Sequence, residues 1–150
     1  MDVTYSSLTN YMDLKQIYML FCKTLSEPYS YFTFVSFYIK YRKFCFVAYS
    51  DNKIVGAIIC KLENDESGYM GMLAVDKKYR RVGIGKCLTQ MAVNNFKENG
   101  IYLIYLETEA VNYISLNFYE KIGFRKVMFI ENYYLNLNDA YRLCLDNRKI

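Results

Sequence analysis

The stretch from Tyr69 to Lys86 constrains the fold more than any other part of the chain: Tyr-Met-Gly-Met-Leu-Ala-Val, then Asp-Lys-Lys-Tyr-Arg-Arg-Val, then Gly-Ile-Gly-Lys. It reads as an apolar strand, a basic turn with two glycines, and the first turn of a helix. The first N–H groups of such a helix have no partner within it, and the helix dipole favours negative charge beside them. Gly83 and Gly85 allow close approach to the backbone and permit positive φ, while Arg80, Arg81 and Lys86 add mobile positive charge. This is a way to build a phosphate cradle; the plainer reading is a basic turn with a glycine-rich helix start. Two common phosphate templates do not fit. A Walker loop needs glycine and Ser or Thr where Arg80 and Cys87 stand, and the dinucleotide fingerprint needs a third glycine where Leu88 stands.

The 150 residues are expected to form one domain, residues 1–150, which buries roughly two thirds of its unfolded surface. Apolar residues make up 53% of the chain, enough for a substantial core. The net charge of +4 comes without a long basic run or an aromatic-basic alternation, so direct nucleic-acid binding is not expected. Five scattered cysteines, no C-x-x-C and no histidine argue against a metal site and against a Cys/His dyad. Free thiols in a reducing compartment are the better reading. The start Met-Asp-Val-Thr-Tyr lacks a signal-peptide pattern, and no apolar run is long enough to span a membrane. The expected location is the cytoplasm.

Periodicity predicts the order of elements. Residues 2–6 read as a short edge strand, 12–25 as a helix with apolar residues on one stripe, and Ser26-Glu-Pro-Tyr-Ser30 as its break. A second, shorter helix is expected over 33–41 and a hairpin over 43–50 and 54–62, followed by a polar loop at 63–67. After the strand at 69–75 comes a helix over 84–99, ended by Asn99-Gly100. A strand at 101–107, a helix from Asn112 to Lys121 and two strands at 124–130 and 139–145 complete the chain. The sum is an α+β domain in three layers: one mixed, mainly antiparallel sheet with helices on both sides.

Four residues near the end of that order can carry chemistry. Alternation puts Glu107 and Glu109 on one face at the carboxyl end of an apolar strand. Partial burial and mutual repulsion raise carboxylate pKa values, which suits a general base, although two solvated acids at a strand end is the plainer reading. Tyr119 shares a helix face with Ser115, Leu116 and Ile122; it is either core filler or a phenol able to protonate a departing thiolate. Asn112 either caps its helix or holds a ligand amide.

Together these segments resemble the GNAT superfamily of acyl-CoA N-acetyltransferases over nearly the whole chain. The carriers are Arg80-x-x-Gly83-x-Gly85 between strand and helix, and Asn112-x-x-Ser-Leu-x-Phe-Tyr119-x-x-x-Gly-Phe124 after the next strand. More narrowly, Leu25-Ser-Glu-Pro-Tyr-Ser30, Leu106-Glu-Thr-Glu109 and Tyr133-Tyr-Leu-Asn136 are similar to blocks in catalytic subunits of NatC-type protein N-terminal acetyltransferases.

The resemblance implies transfer of acetyl from acetyl-CoA to the α-amine of nascent or free protein N-termini that begin Met-Leu, Met-Ile or Met-Phe. It implies that Leu73, Ala74 and Val75 pair with the pantetheine arm, that Arg80, Arg81, Val82, Gly83, Ile84, Gly85 and Lys86 hold the pyrophosphate, and that Asn112 and Tyr119 contact the CoA. Glu107 takes the role of base and Tyr119 that of acid, directly and without a metal. Glu27, Tyr29, Tyr69, Glu109, Tyr133 and Tyr134 take the peptide. A large and a small auxiliary subunit, and the ribosome, are the implied partners. The chain departs from the family at residues 63–67, short and acidic where the family is longer and arginine-rich. Two alternatives stand beside this reading: an acetyltransferase for lysine or a small amine, and an acyl-CoA-binding module without catalysis.

Overall fold

The computed structural model describes residues 2–148. Seven strands form one sheet: β1 (Thr4–Ser7), β2 (Phe46–Ser50), β3 (Lys53–Asn64), β4 (Ser67–Val75), β5 (Leu103–Glu109), β6 (Arg125–Ile130) and β7 (Ala140–Asp146). Four α-helices flank it: α1 (Leu14–Thr24), α2 (Tyr31–Tyr41), α3 (Ile84–Glu98) and α4 (Tyr113–Ile122). The strand order is β1-β2-β3-β4-β5-β7-β6, and β4–β5 is its parallel pair. This is the expected α+β, mainly antiparallel arrangement, with β1 on an edge.

Two apolar layers hold the sheet between the helices. On one face α1 and α2 set Ile17, Phe21, Phe34 and Phe37 against Val47, Ala57 and Ile59. On the other, α3 and α4 set Leu88, Phe96 and Leu116 against Ile58, Cys60, Ile104 and Leu106. Cys45 and Cys60 are buried free thiols within this core.

Several boundaries differ from expectation, each for a local reason. Residues 11–13 form a 3₁₀ turn whose entry is capped by the Asn10 side chain, so α1 begins at Leu14 rather than at 12. Ser30 caps α2 by accepting from the Thr33 N–H, which starts that helix at Tyr31 and makes it as long as α1. Another 3₁₀ turn takes residues 42–44, and β2 begins only at Phe46. The expected loop at 63–67 is mostly strand, because β3 and β4 stay paired to Asn64 and Ser67. At the end of α3 the Ile101 N–H donates to the Phe96 carbonyl and the Gly100 N–H to that of Lys97, with Gly100 at φ +76°. This cap uses residues 99–101, so β5 runs from 103 to 109 and contains both glutamates.

One irregularity shapes the site. β4 pairs with β5 only from Ser67 to Tyr69, opposite Leu103 to Tyr105. Immediately beyond, Ile59 and Cys60 of β3 face Met72 and Met70, which leaves Gly71 as an extra residue in β4. Such a bulge bends and twists its strand, and here it marks where β4 leaves β5. Space there is tight: a Cβ at residue 71 would lie 3.1 Å from both the Phe37 and Tyr29 rings, which would have to give way.

Candidate active site

The gap between β4 and β5 opens into a cavity of 220 Å³. Its walls come from both strands, from the α1–α2 connection, from the start of α4 and from the β6–β7 connection. Glu27, Tyr29, Tyr69, Leu73, Glu107, Glu109, Asn112, Tyr119, Tyr133 and Tyr134 all line it. Every residue proposed from sequence for catalysis or for the peptide is therefore in one place.

Glu107 is at its centre, with its side chain only 5% exposed. Its Oε1 accepts from the Tyr69 hydroxyl and, at 3.0 Å, from the Tyr133 hydroxyl. Its Oε2 accepts from Arg142 Nη1 at 2.5 Å. The phenols around it stay protonated. Burial, then the neighbouring Tyr29 and Glu107, hold Tyr69 far above the ordinary phenol range. Burial, then the Glu107 carboxylate, push Tyr133 up to about 12.

Glu109 does a different job. It accepts from Ser26 Oγ at 3.3 Å and from Asn138 Nδ2 at 3.0 Å, tying the α1–α2 connection to the β6–β7 connection. Glu27 belongs to the first of those connections, and its Oε2 is buried and has no hydrogen-bond partner. A buried acceptor without a donor is costly, so this oxygen is disposed to receive an N–H from outside the chain.

Tyr119 reaches the cavity from α4. Its ring packs edge-on against Phe118 and Phe124, with centroids 5.0 and 5.5 Å away. Burial holds its hydroxyl well above the usual range, so it is a neutral donor at any working pH. Asn112 caps α4: its Oδ1 accepts from the Ser115 N–H at 3.1 Å. The capping reading is met, and Asn112 also lines the cavity.

The loop over residues 80–86 forms a separate surface. Arg81 and Gly83 have φ of +70° and +87°. Gly83 is the N-cap of α3 and provides no side-chain cap, so the first N–H groups of the helix are open to a ligand. Space is free where the ligand would approach. A Cβ on Gly83 would meet nothing within 4 Å, and for one on Gly85 the nearest atoms, from Phe118 and Val75, lie at an ordinary contact distance of 3.6 Å or more. Arg80 Nε donates to the Val75 carbonyl, pinning the loop to the end of β4. Ala74 and Ile84 are buried, so only their backbone can serve a ligand, while Val82 is exposed. Lys86 lines a second groove with Asn117, Phe118 and Lys121 of α4. The donor set and open backbone fit a chain of phosphates. Among the described residues no cluster of Cys, Asp and Glu is arranged to hold a metal, and no helix is long and apolar enough to cross a membrane.

Sequence reasoning missed Arg142, Glu63, Asn138, Asn117 and Lys121. Arg142 meets Glu107 and Asn138 meets Glu109, and Glu63 joins them by bonding Arg142, through strand register and loop packing that no local pattern encodes. The two on α4 follow from the helix itself, because Asn117 and Lys121 are four apart on one face.

Comparison with known proteins agrees with this geometry. Residues 11–124 match the acetyltransferase (GNAT) family. The N-alpha-acetyltransferase 30 of Schizosaccharomyces pombe is 40% identical over 136 residues, covering 88% of this chain and 91% of that protein. The human N-alpha-acetyltransferase 30 is 40% identical over 147 residues, covering 95% of this chain but 41% of the human protein, so the chain spans less than half of that relative. A chain in the crystal structure of the NatC complex bound to Gag peptide and CoA superposes with a TM-score of 0.92 at 34% identity, over 97% of this chain and 99% of that one. The chain belongs to the GNAT acetyltransferase family, in the branch of the N-alpha-acetyltransferases.

Proposed function

We propose that the chain transfers the acetyl group of acetyl-CoA to the α-amine of protein N-termini, as a NatC-type catalytic subunit, and favours an initiator Met followed by Leu, Ile or Phe. The observation that carries this reading is the cavity at the β4–β5 gap. Three carboxylates, Glu27, Glu107 and Glu109, and five tyrosines surround a space the size of a chain end, and one buried oxygen of Glu27 lacks a donor. An N-terminal amine and the first peptide N–H supply such donors.

Bound acetyl-CoA supplies an activated acyl group as a thioester. Arg80 to Lys86 bind its phosphates through open N–H groups and charge, and Lys86 with Lys121 extend the positive surface along the groove between α3 and α4. The unpaired edge of β4 from Leu73 to Val75 offers backbone groups to the pantetheine amides, with Asn112 beside them. Backbone N–H groups near Leu73 stabilise the negative charge that develops on the thioester oxygen. Glu107, directly or through one water, accepts the proton of the attacking amine, whose pKa near 8 asks only for a modest base. Tyr119 gives its proton to the departing sulfur. The C–N bond forms as the C–S bond breaks, and no covalent link to the enzyme is needed. Glu27, Tyr29, Tyr69, Glu109, Tyr133 and Tyr134 hold the peptide, with Tyr133 and Tyr134 closing the site from the side.

We place the enzyme in the cytoplasm, acting on nascent chains beside the ribosome together with auxiliary subunits; the related NatC structure is that of a complex. The test is a panel of short peptides with acetyl-CoA. Burying one aliphatic side chain is worth roughly 1.5–3 kcal/mol. Met-Leu and Met-Ile peptides are therefore expected to outpace Met-Glu and Ser-Glu by about tenfold or more, a gap of about 1.4 kcal/mol. Acetylation of an internal lysine in preference to the terminus, or Met-Glu above Met-Leu, would leave the fold standing and overturn the substrate.

A further inference from the structure

Arg142 stands opposite Glu107 in the register of β5 and β7, but its contacts reach beyond that pair. Nη1 donates to Glu107 Oε2 at 2.5 Å and Nη2 to Glu63 Oε2 at 2.6 Å. The guanidinium carbon lies 4.3 Å from the centre of the Tyr105 ring. Glu63 belongs to β3, which is separated from β7 by β4 and β5, so the arginine reaches back across the sheet to it. A planar fork committed to two carboxylates while covering an aromatic ring is held in one orientation.

The consequence falls on Glu107. Its two oxygens are divided, Oε2 to the arginine and Oε1 to Tyr69 and Tyr133. Beyond this cluster is a second cavity of 520 Å³, lined by Lys61, Glu63 and Arg142, which shares Tyr29, Tyr69, Glu107 and Tyr133 with the first. Glu107 thus sits in the wall between two cavities, clamped from the rear one. We propose that Arg142 is a positioning residue for acetyl transfer: anchored by Glu63, it holds Glu107 Oε2 and turns Oε1 toward the acceptor amine, while Glu63 offsets part of its charge. The proposal rests on the reading of Glu107 as the base.

The groups facing Glu107 define what a pH experiment can read. Lys61 and Glu63 come from β3, Tyr69 from β4, Arg142 from β7, Glu27 and Tyr29 from the α1–α2 connection, and Tyr133 and Tyr134 from the β6–β7 connection. Tyr105 and Glu109 lie on its own strand, and Tyr119 closes the cavity from α4. Arg142 is the cation in direct contact with it.

The experiment is the pH profile of kcat/KM for a Met-Leu peptide, in which the enzyme's acid limb is the further break below the titration of the peptide's own amine, with kcat, acetyl-CoA KM and melting temperature, in the full chain and four variants. Arg142→Gln is expected to lower kcat about tenfold or more and leave the acetyl-CoA KM in place. It also moves the acid limb to higher pH, because the cation that favours the charged carboxylate is gone. Arg142→Lys keeps the limb near its original position and recovers part of the rate, since an ammonium keeps the charge but cannot span both carboxylates. Glu63→Gln moves the limb to lower pH and lowers kcat by only about threefold. Variants that lose rate and melting temperature together, with the acid limb unmoved, would reduce Arg142 to a structural salt bridge and overturn the proposal. If Arg142→Gln does not fold, Glu63→Gln decides alone, and an unmoved limb there also overturns it. Glu107→Gln separates the two readings: an acid limb of the enzyme, below the titration of the peptide's own amine, that survives in that variant removes Glu107 as the base, whereas its loss there with no response to Arg142 or Glu63 refutes only the positioning role.

Discussion

The cradle at the start of α3 and the carboxylate cluster on β5 both adjoin the place where β4 leaves its neighbour, yet they are made in opposite ways. The cradle is seven consecutive residues, 80–86, and its donors are backbone N–H groups left open by the absence of a side-chain cap at Gly83. The cluster joins β3, β4, β5, β7 and the β6–β7 connection, and the Glu107 oxygens are already engaged by Tyr69, Tyr133 and Arg142. Open backbone suits a ligand that arrives with its own charge and leaves again. A filled network suits a group that must keep one orientation through every turnover. Binding and proton transfer should therefore fail separately when each region is damaged.

The largest expected effect is at Glu107. Glu107→Gln removes the proposed base while preserving size, and kcat should fall by about a hundredfold or more. The remaining rate should rise as pH approaches the amine's own pKa. Tyr119→Phe should follow, with kcat down about tenfold to thirtyfold and a melting temperature near that of the parent, since the ring keeps its packing on Phe118 and Phe124. A parental rate would reduce Tyr119 to packing.

On the cradle side, Gly83→Val places a β-branched residue at φ +87°, a strain of about 1–3 kcal/mol, and fills the approach to the helix start. Acetyl-CoA should bind about tenfold more weakly, with folding retained; unchanged affinity in a folded variant would show that the loop is only a turn. The smallest effect is expected at Glu109→Gln. It weakens the tie between Ser26 and Asn138 and should raise the peptide KM by about threefold, consistent with a hydrogen-bond contribution of about 0.5–1.5 kcal/mol. A loss of kcat larger than that of Glu107→Gln would reverse the two assignments.

The same contrast explains what was legible in the sequence. The cradle could be read directly, because glycine spacing, cations and a helix start are local. Asn112 as a cap and the Asn99-Gly100 stop were local too. The tyrosines and glutamates of the cavity were visible through family blocks, but their mutual bonds were not. Arg142 gave no signal, because its role depends on β5 pairing with β7 in one register and on β3 extending to Asn64. A loop expected at 63–67 hid Glu63, where cross-strand pairing overrode local polarity. The bulge at Gly71 was hidden for the same reason: an extra residue in one strand appears only when its partner is known.

The most direct test of the division between the two regions is an acetyl-CoA saturation curve, with a Met-Leu peptide in excess, for Gly83→Val and Glu107→Gln beside the parent chain. Gly83→Val should raise the acetyl-CoA dissociation constant and approach the parental kcat at saturation. Glu107→Gln should keep the parental dissociation constant and lose kcat. If each variant instead moves both quantities together, binding and proton transfer are not housed in separate regions, and the account fails.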